Sequence, residues 1–327
     1  MADAELDSPL ESAAGAAGPH ATEAFALLAN ETRLAILLAL WELHEPGTED
    51  TSVSFSELYG RIDYDNPGNF SYHLEKLEGQ FIRKRPDDER YELRKTGLEL
   101  VRSVIAGSGV QDTSLESTEI DRACYLCGAP TAVSYEDGTV YQVCTECEGM
   151  TTRDDLPDGW LNGMKFDPAG LTDRSAEELL AAAEIAAYRH MRTMFAALCS
   201  ACSGPVDASL EICEDHDSEG VCSTCGRVPE YTAQFQCRAC KDFHGTTPDV
   251  LCVFHPAVIA FYYEHGVSPR WHADEYDGLT YVGDHEPEHE TELVSENPPQ
   301  VEVTVTLDDE ELRVTFDETV SIIDVTW

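Results

Sequence analysis

Apolar residues recur at helical spacing through most of the first hundred positions. Phe25, Leu27 and Leu28 mark one short helix, and Leu34, Leu37, Leu38 and Trp41 mark a second over Glu31 to Leu43, with Asn30 as the cap between them. After a Pro46-Gly47 loop, Phe55, Leu58 and Ile62 point a third helix inward. Asn66-Pro67 pairs a capping side chain with a proline at the first helical position, and Phe70, Leu74 and Leu77 follow at i, i+4 and i+7. The other face of that helix carries Gly68, Asn69, Ser71, Tyr72, His73 and Lys76, small or hydrogen-bonding groups that look reserved for a partner. Phe81 to Arg85 and Arg90 to Arg94 flank Pro86-Asp87-Asp88-Glu89 and predict a β-hairpin; a last helix runs from about Thr96 to Ala106, with Leu98, Val101 and Ile105 on one stripe.

The rest of the chain alternates Cys-rich blocks with periodic segments. Residues 107–122 are polar and read as a linker, and 123–150 as a Cys-rich module. Residues 151–198 hold a loop with Pro157, Gly159 and Pro168, then a long helix opened by the capping-box pattern Ser175-x-x-Glu178, with Leu180, Ala187, Met191, Met194 and Phe195 on one stripe. A second Cys-rich block and a short helix from Pro256 to His265 fill 199–266; 267–298 reads as an acidic loop. In 299–327, Val301 to Leu307, Leu312 to Phe316 and Val320 to Trp327 predict a three-stranded antiparallel meander. Residues 1–20 lack periodicity and read as a disordered acidic tail. The expected class is α+β and multi-domain.

Composition adds an environment. Among 327 residues, 63 Asp and Glu face 21 Lys and Arg, a net charge of -42, and only five of the cations are Lys. The acids are spread among apolar periodic segments rather than bunched, which fits a surface adapted to molar salt, where charges are screened within about 3 Å. A halophilic, cytoplasmic protein is expected, and the acidity reports habitat rather than ligand. Apolar runs are broken by charge well before the roughly 18 residues a membrane helix needs, and the N-terminus is acidic, so neither a span nor a secretory signal is expected.

Twelve cysteines fall mostly in CxxC pairs, which in a long chain of this kind favours metal over a disulfide framework. Cys124-x2-Cys127-x16-Cys144-x2-Cys147 puts two knuckles at the ends of a hairpin turning at Asp137-Gly138, so four thiolates can converge on one Zn²⁺; a redox CxxC pair is the competing reading. All four positions being filled, the site is structural, and in a module of so little core the metal would supply about 10–16 kcal/mol of folding free energy. The second block offers Cys199/Cys202, Cys213/His216, Cys222/Cys225, Cys237/Cys240 and Cys252/His255. Pairing neighbours joins the first two pairs in a mixed site and the next two in an all-thiolate site, about three zinc ions in all. Cys252/His255 is then left over as a buried Cys and a helix-start His beside Pro256. The alternative is that it replaces Cys237/Cys240, since both gaps are 11 residues. His285-Glu286-Pro287-Glu288-His289 matches HExxH literally, but Pro287 and the flanking acids argue against the helix that a zinc protease needs. No P-loop, dinucleotide-binding or nucleophile-elbow pattern is present, and no catalytic residue is expected.

Four helices, a basic hairpin and a helix is the order of a winged helix-turn-helix. Between Arg61 and Arg102, nine cations balance nine acids, so the other 285 residues carry the whole net charge. Arg83, Lys84, Arg85, Arg90, Arg94 and Lys95 sit in the wing, where they can meet phosphates. Leu-Ala-Asn-Glu-Thr-Arg-Leu-Ala-Ile-Leu from Leu28 to Leu37, and Phe-Ser-Tyr-His-Leu-Glu-Lys-Leu from Phe70 to Leu77, resemble the acidic haloarchaeal ArsR-like winged-helix regulators. The resemblance covers 21–106, about a quarter of the chain. It implies that the second of these runs is a recognition helix, that Ser71, Tyr72, His73 and Lys76, with Asn69 beside them, face double-stranded DNA, and that the protein forms a homodimer. Metal-sensing members carry a Cys motif on the preceding helix; here Ser54 to Gly60 has none. The expected function is sequence-specific transcription regulation, with the zinc ribbons serving partner binding, dimerisation or sensing. The alternative is a general transcription component that binds RNA polymerase, similar to transcription factor E.

Overall fold

A computed structural model of the chain describes residues 21–47, 50–107, 113–217, 220–269, 281–282 and 287–327. The expected tail at 1–20 lies outside the described residues, as do His285 and Glu286. The backbone divides into two compact units, Met1–Val110 and Gln111–Trp327.

The first unit runs α1 (Ala21–Leu28), α2 (Glu31–Glu42), α3 (Phe55–Arg61), α4 (Pro67–Leu77), β1 (Ile82–Lys84), β2 (Tyr91–Leu93) and α5 (Lys95–Ala106). Local chemistry sets the starts. The Asn30 side chain accepts from the Arg33 N–H, Ser54 and Glu57 form a reciprocal capping box, and Asn66 accepts from the N–H groups of Gly68 and Asn69. Ile36, Leu37, Leu40, Leu58, Phe70, Leu74, Leu77 and Val101 form one core. In α2 the fully buried face is Ile36, Leu37, Ala39 and Leu40, while Leu34, Leu38 and Trp41 are half-buried. That helix is apolar nearly all round, so its periodicity does not choose a side. β1 and β2 pair antiparallel, and Val53 adds a bridge to Tyr91. The hairpin lies so close over α5 that a Cβ on Gly97 would stand 2.3 Å from the Phe81 carbonyl oxygen.

Among the described residues the second unit is built on three larger sheets and one short strand pair, and several stretches read as loops are strands. Residues 107–122 do not remain a linker throughout: β3 (Leu115–Ala123) is the edge of an antiparallel sheet ordered β3-β4-β5-β6, with β4 Pro130–Glu136, β5 Thr139–Cys144 and β6 Trp160–Lys165. β3 is exposed at nearly every position, so no alternation marks it; pairing with β4 and an ion pair of 2.7 Å from Arg122 to Glu184 hold it. After a 3₁₀ turn at Pro168–Leu171, α6 (Ala176–Phe195) starts at the expected Ser175/Glu178 capping box. It serves two cores. Leu179, Leu180 and Ala183 pack with Val133, Tyr135, Val140 and Met164 of the first sheet, while Met191 and Met194 enter a larger core.

That larger core joins a sheet ordered β7-β8-β9 (Val206–Ile212, Tyr231–Cys237, Phe243–Thr246), helices α7 (Pro248–Cys252) and α8 (Pro256–Glu264), and the C-terminal sheet. A short pair, β10 (Ser268–Pro269) with β11 (Tyr281–Val282), precedes that last sheet. The C-terminal sheet has four strands rather than three: β12 (Glu288–Glu296), within the expected acidic loop, precedes β13 (Pro299–Leu307), β14 (Glu310–Phe316) and β15 (Ile322–Thr326). Val301, Val303 and Val305 of β13 and Leu312, Val314 and Phe316 of β14 are fully buried, the alternation the sequence displays. Phe235, Phe261 and Phe316 share this core, so the second Cys-rich block and the C-terminal sheet are not separate domains.

Candidate metal centres and the face of helix α4

Three groups of four ligand atoms converge among the described residues, each group within 4.8 Å: Cys124, Cys127, Cys144 and Cys147; Cys199, Cys202, Cys237 and Cys240; Cys213, His216, Cys222 and Cys225. Sulfurs stand 3.8 Å apart for Cys124 and Cys147, 3.5 Å for Cys127 and Cys144, 3.6 Å for Cys199 and Cys240, and 3.5 Å for Cys202 and Cys237. A disulfide needs about 2.05 Å. Four sulfurs at about 2.3 Å from a tetrahedral ion lie about 3.8 Å from one another. The groups can therefore hold metal ions, and the spacing excludes disulfides.

All twelve expected ligands are in place, but the grouping in the second block differs. Cys199/Cys202 join Cys237/Cys240, and Cys213/His216 join Cys222/Cys225, so one site is nested inside the sequence span of the other. The ladder explains it. β7 pairs with β8 from Val206↔Cys237 to Ile212↔Tyr231, which brings the knuckle before β7 beside the knuckle after β8 and leaves Cys213 to Cys225 at the far end of the hairpin. Spacing alone was equally compatible with neighbour pairing. Cys252 is buried with its thiol against the Pro248 carbonyl, and His255 caps α8 by accepting from the Ala257 N–H at 3.2 Å, as expected for the pair left over.

Backbone N–H groups aim at several of these sulfurs, and in each group they bring one thiol well below its usual range. Burial opposes ionisation of Cys144, but the N–H groups of Cys147 and Glu146, at 3.3 and 3.4 Å, bring its thiol down to about 6. The Asp217 N–H does the same for Cys222, and the N–H groups of Cys240 and Ala239 for Cys237, each also to about 6. Burial pushes the partners Cys147 up to about 12 and Cys213 up to about 11. A knuckle thus pre-ionises one thiol and needs a cation to discharge the rest.

In the first unit, α4 presents Asn69, Tyr72 and Lys76 to solvent and Ser71 half-exposed, with Lys76 Nζ 5.4 Å from the centre of the Tyr72 ring. The Asn69 amide donates to the Tyr64 hydroxyl at 2.7 Å. His73 does not share that face. It is 7% exposed, edge-on to Tyr64, and burial followed by the Arg33 charge holds its imidazole below the usual range. The missed signal was local: Phe70, His73, Leu74 and Leu77 are spaced i, i+3, i+4 and i+7, the pattern of a buried stripe.

The hairpin cations largely have partners. Arg83 pairs with Glu92, Lys84 with Glu89 at 3.0 Å, Arg85 with Asp50 at 2.8 Å, and Arg90 with Glu57 at 3.3 Å and the Ser52 carbonyl at 2.6 Å. Arg94 is exposed and, among the described residues, has no ion pair. With Arg83, Lys84 and Lys95 it lines a cleft of about 420 Å³ that also contains Glu78 and Glu92. Of the HExxH string, whose His285 and Glu286 lie outside the described residues, His289 is on β12, a strand, where its Nε2 meets the Tyr262 hydroxyl at 2.9 Å.

Two knuckle-bearing sheets, a third ligand group in a hairpin tip and a separate helical unit with a two-stranded hairpin define a mixed α/β protein with capacity for three metal ions. Residues 121–322, from within β3 to the start of β15, match a family described as a domain of unknown function (DUF7351), and the chain belongs to that family. Residues 21–104 match a second domain of unknown function (DUF7347). No curated protein and no solved structure matches the chain. No helix among the described residues is long and apolar enough to cross a membrane.

Proposed function

We propose that the chain is a sequence-specific DNA-binding transcriptional regulator of a halophilic archaeon, acting in the cytoplasm as a homodimer and not as an enzyme. The first unit is a winged helix-turn-helix of the ArsR-like kind, with α4 as the recognition helix and β1–β2 as the wing. One observation carries this reading. Helix α4 exposes Asn69 and Tyr72 and, in its last turn, Lys76, and carries a single carboxylate, Glu75, on a chain whose surface is otherwise strongly acidic. Asn reads adenine edges, Lys reads guanine, and Tyr72 supplies flat apolar area. Arg94 and the cleft beside it suit a phosphate, while counterion release is weak in molar salt, so base-edge contacts carry the specificity. The metal is Zn²⁺, which thiolate-rich tetrahedral sets favour, at three structural sites.

A second reading draws on the hairpin. Four of its cations are matched by carboxylates, which leaves less charge for phosphates and suits a winged helix that binds RNA polymerase. Genome-wide crosslinking and immunoprecipitation in the native high-salt host separates the two. A few sharp peaks that vanish with Tyr72→Ala and Lys76→Ala are expected of a regulator, whereas Arg94→Ala should lower all peaks alike. Signal over every active promoter, unchanged by these substitutions, would establish the polymerase partner instead.

A further inference from the structure

The third ligand group is built differently from the other two. Cys124/Cys127 with Cys144/Cys147, and Cys199/Cys202 with Cys237/Cys240, each close the base of a hairpin. The first hairpin turns at Asp137-Gly138, between Glu136 and Thr139. The second carries Cys213, His216, Cys222 and Cys225 at the corresponding end, beyond a ladder already complete from Val206 to Ile212. Neither sheet needs that group to pair its strands.

What the group does reach is the first knuckle module. His216 turns Nδ1 toward the Cys225 sulfur, 3.6 Å away, and Nε2 toward the Val228 carbonyl oxygen at 3.0 Å. With Nδ1 as the metal-facing nitrogen, Nε2–H is the donor to that carbonyl, the second-shell bond that fixes a ligating imidazole. The Val228 N–H in turn donates to the Met150 carbonyl at 2.9 Å, Thr152 N–H donates to the Gly226 carbonyl at 3.3 Å, and Thr151 Oγ1 donates to the same carbonyl at 2.7 Å. Thr151 and Arg227 form an isolated antiparallel bridge. Met150 stands three residues past Cys147 and packs against Cys124, Cys144 and Leu161, with its N–H on the Trp160 carbonyl at 2.7 Å. A Cβ at the intervening Gly149 would lie 2.2 Å from that same carbonyl oxygen, so the approach is tight. A continuous path of ligand, imidazole and backbone hydrogen bonds therefore joins the third metal group to the first.

We propose that metal binding by Cys213, His216, Cys222 and Cys225 couples the two knuckle modules, with His216 as the positioning residue, so that a zinc-class divalent ion at this site controls how firmly 150–152 is held against 226–228. The first two groups close the bases of their own hairpins; the third sets the connection between them. This rests on the metal reading given above.

Hydrogen exchange by NMR on the full-length chain loaded with Zn²⁺, with the metal count measured alongside, tests it. His216→Cys keeps four ligands and removes only the imidazole bond to Val228. It should retain three equivalents of zinc, yet the Thr152 and Val228 amides should exchange at least tenfold faster while Ala233 and Phe235 are unchanged. His216→Ala should lose one equivalent and show the same local loss. Thr151→Val, which touches no ligand, should keep all three ions and accelerate the same two amides by a smaller factor. Unchanged protection of Thr152 and Val228 in His216→Cys would overturn the coupling while leaving the metal reading standing, and so would equal loss across β7 and β8, which would make this a folding site. Fewer than three equivalents in the unsubstituted chain would overturn the metal reading and the coupling with it.

Discussion

The two knuckle modules share one local design and depend on it to different degrees. Each has a CxxC turn before a strand, an antiparallel partner strand, a second CxxC turn and a third strand, and in each the backbone N–H groups of the second knuckle lower one thiol to about 6. Behind the knuckles they part. Val133, Tyr135 and Val140 of the first module meet only the N-terminal half of α6 and a few neighbours, whereas Ala233 and Phe235 of the second are embedded in the core shared with α7, α8 and the C-terminal sheet. Identical ligand geometry can therefore be the main support of one sheet and a minor support of another, because the metal's share depends on how much apolar area the surroundings bury.

The largest test of that contrast substitutes one ligand in each. Cys127→Ser should remove most of the metal's contribution, about 10–16 kcal/mol at full occupancy, and leave β4 and β5 unfolded by hydrogen exchange. Cys202→Ser should release one equivalent of zinc while Phe235 and Val303 stay protected. Equal unfolding in both would break the comparison. At the next level, Phe235→Ala should cost about 3–5 kcal/mol in denaturant titrations with zinc still bound, since the cavity opens in the larger core. Zinc loss as large as that from Cys202→Ser would mean that core and metal are not separable there.

The smallest effect is one of pH. The second module holds His244, which burial, then the charges of His190 and Lys165, pushes down to about 4; residues 124–165 contain no histidine. An unfolded histidine titrates near about 6.5, so between that value and 4 the unfolded state binds more protons. Stability should fall as pH drops through this window, by at most about 1.4 kcal/mol per pH unit, and level off below it. His244→Gln at saturating zinc should flatten the slope of stability between pH 6.5 and 5. A slope that survives the substitution would assign the effect elsewhere.

Interactions close in sequence were legible from the chain alone. Asn30, Asn66 and Ser175/Glu178 cap the helices they were read to cap, because a cap needs only residues within one turn. The twelve ligands could be named because a knuckle is also local, and His255 could be set apart because its neighbour is Pro256. The alternating Val301, Val303 and Val305 announced a strand.

Tertiary structure decided whatever required one of several near-equal partners. Exposed β3 and β12 show no clean alternation and are strands because β4 and β13 offer them a ladder. The choice of face on a nearly all-apolar α2, and the burial of His73 beside Phe70 and Leu74, depend on what packs opposite. The same holds for the ligand grouping. Neighbour pairing and nested pairing use the same knuckles, and only the β7–β8 register, which places Val206 opposite Cys237, brings Cys199 to Cys240 and leaves His216 to face Cys225. Caps and knuckles are short-range and determined by residue type; metal sets and sheet edges are closed by long-range pairing, whose partners a linear pattern does not rank.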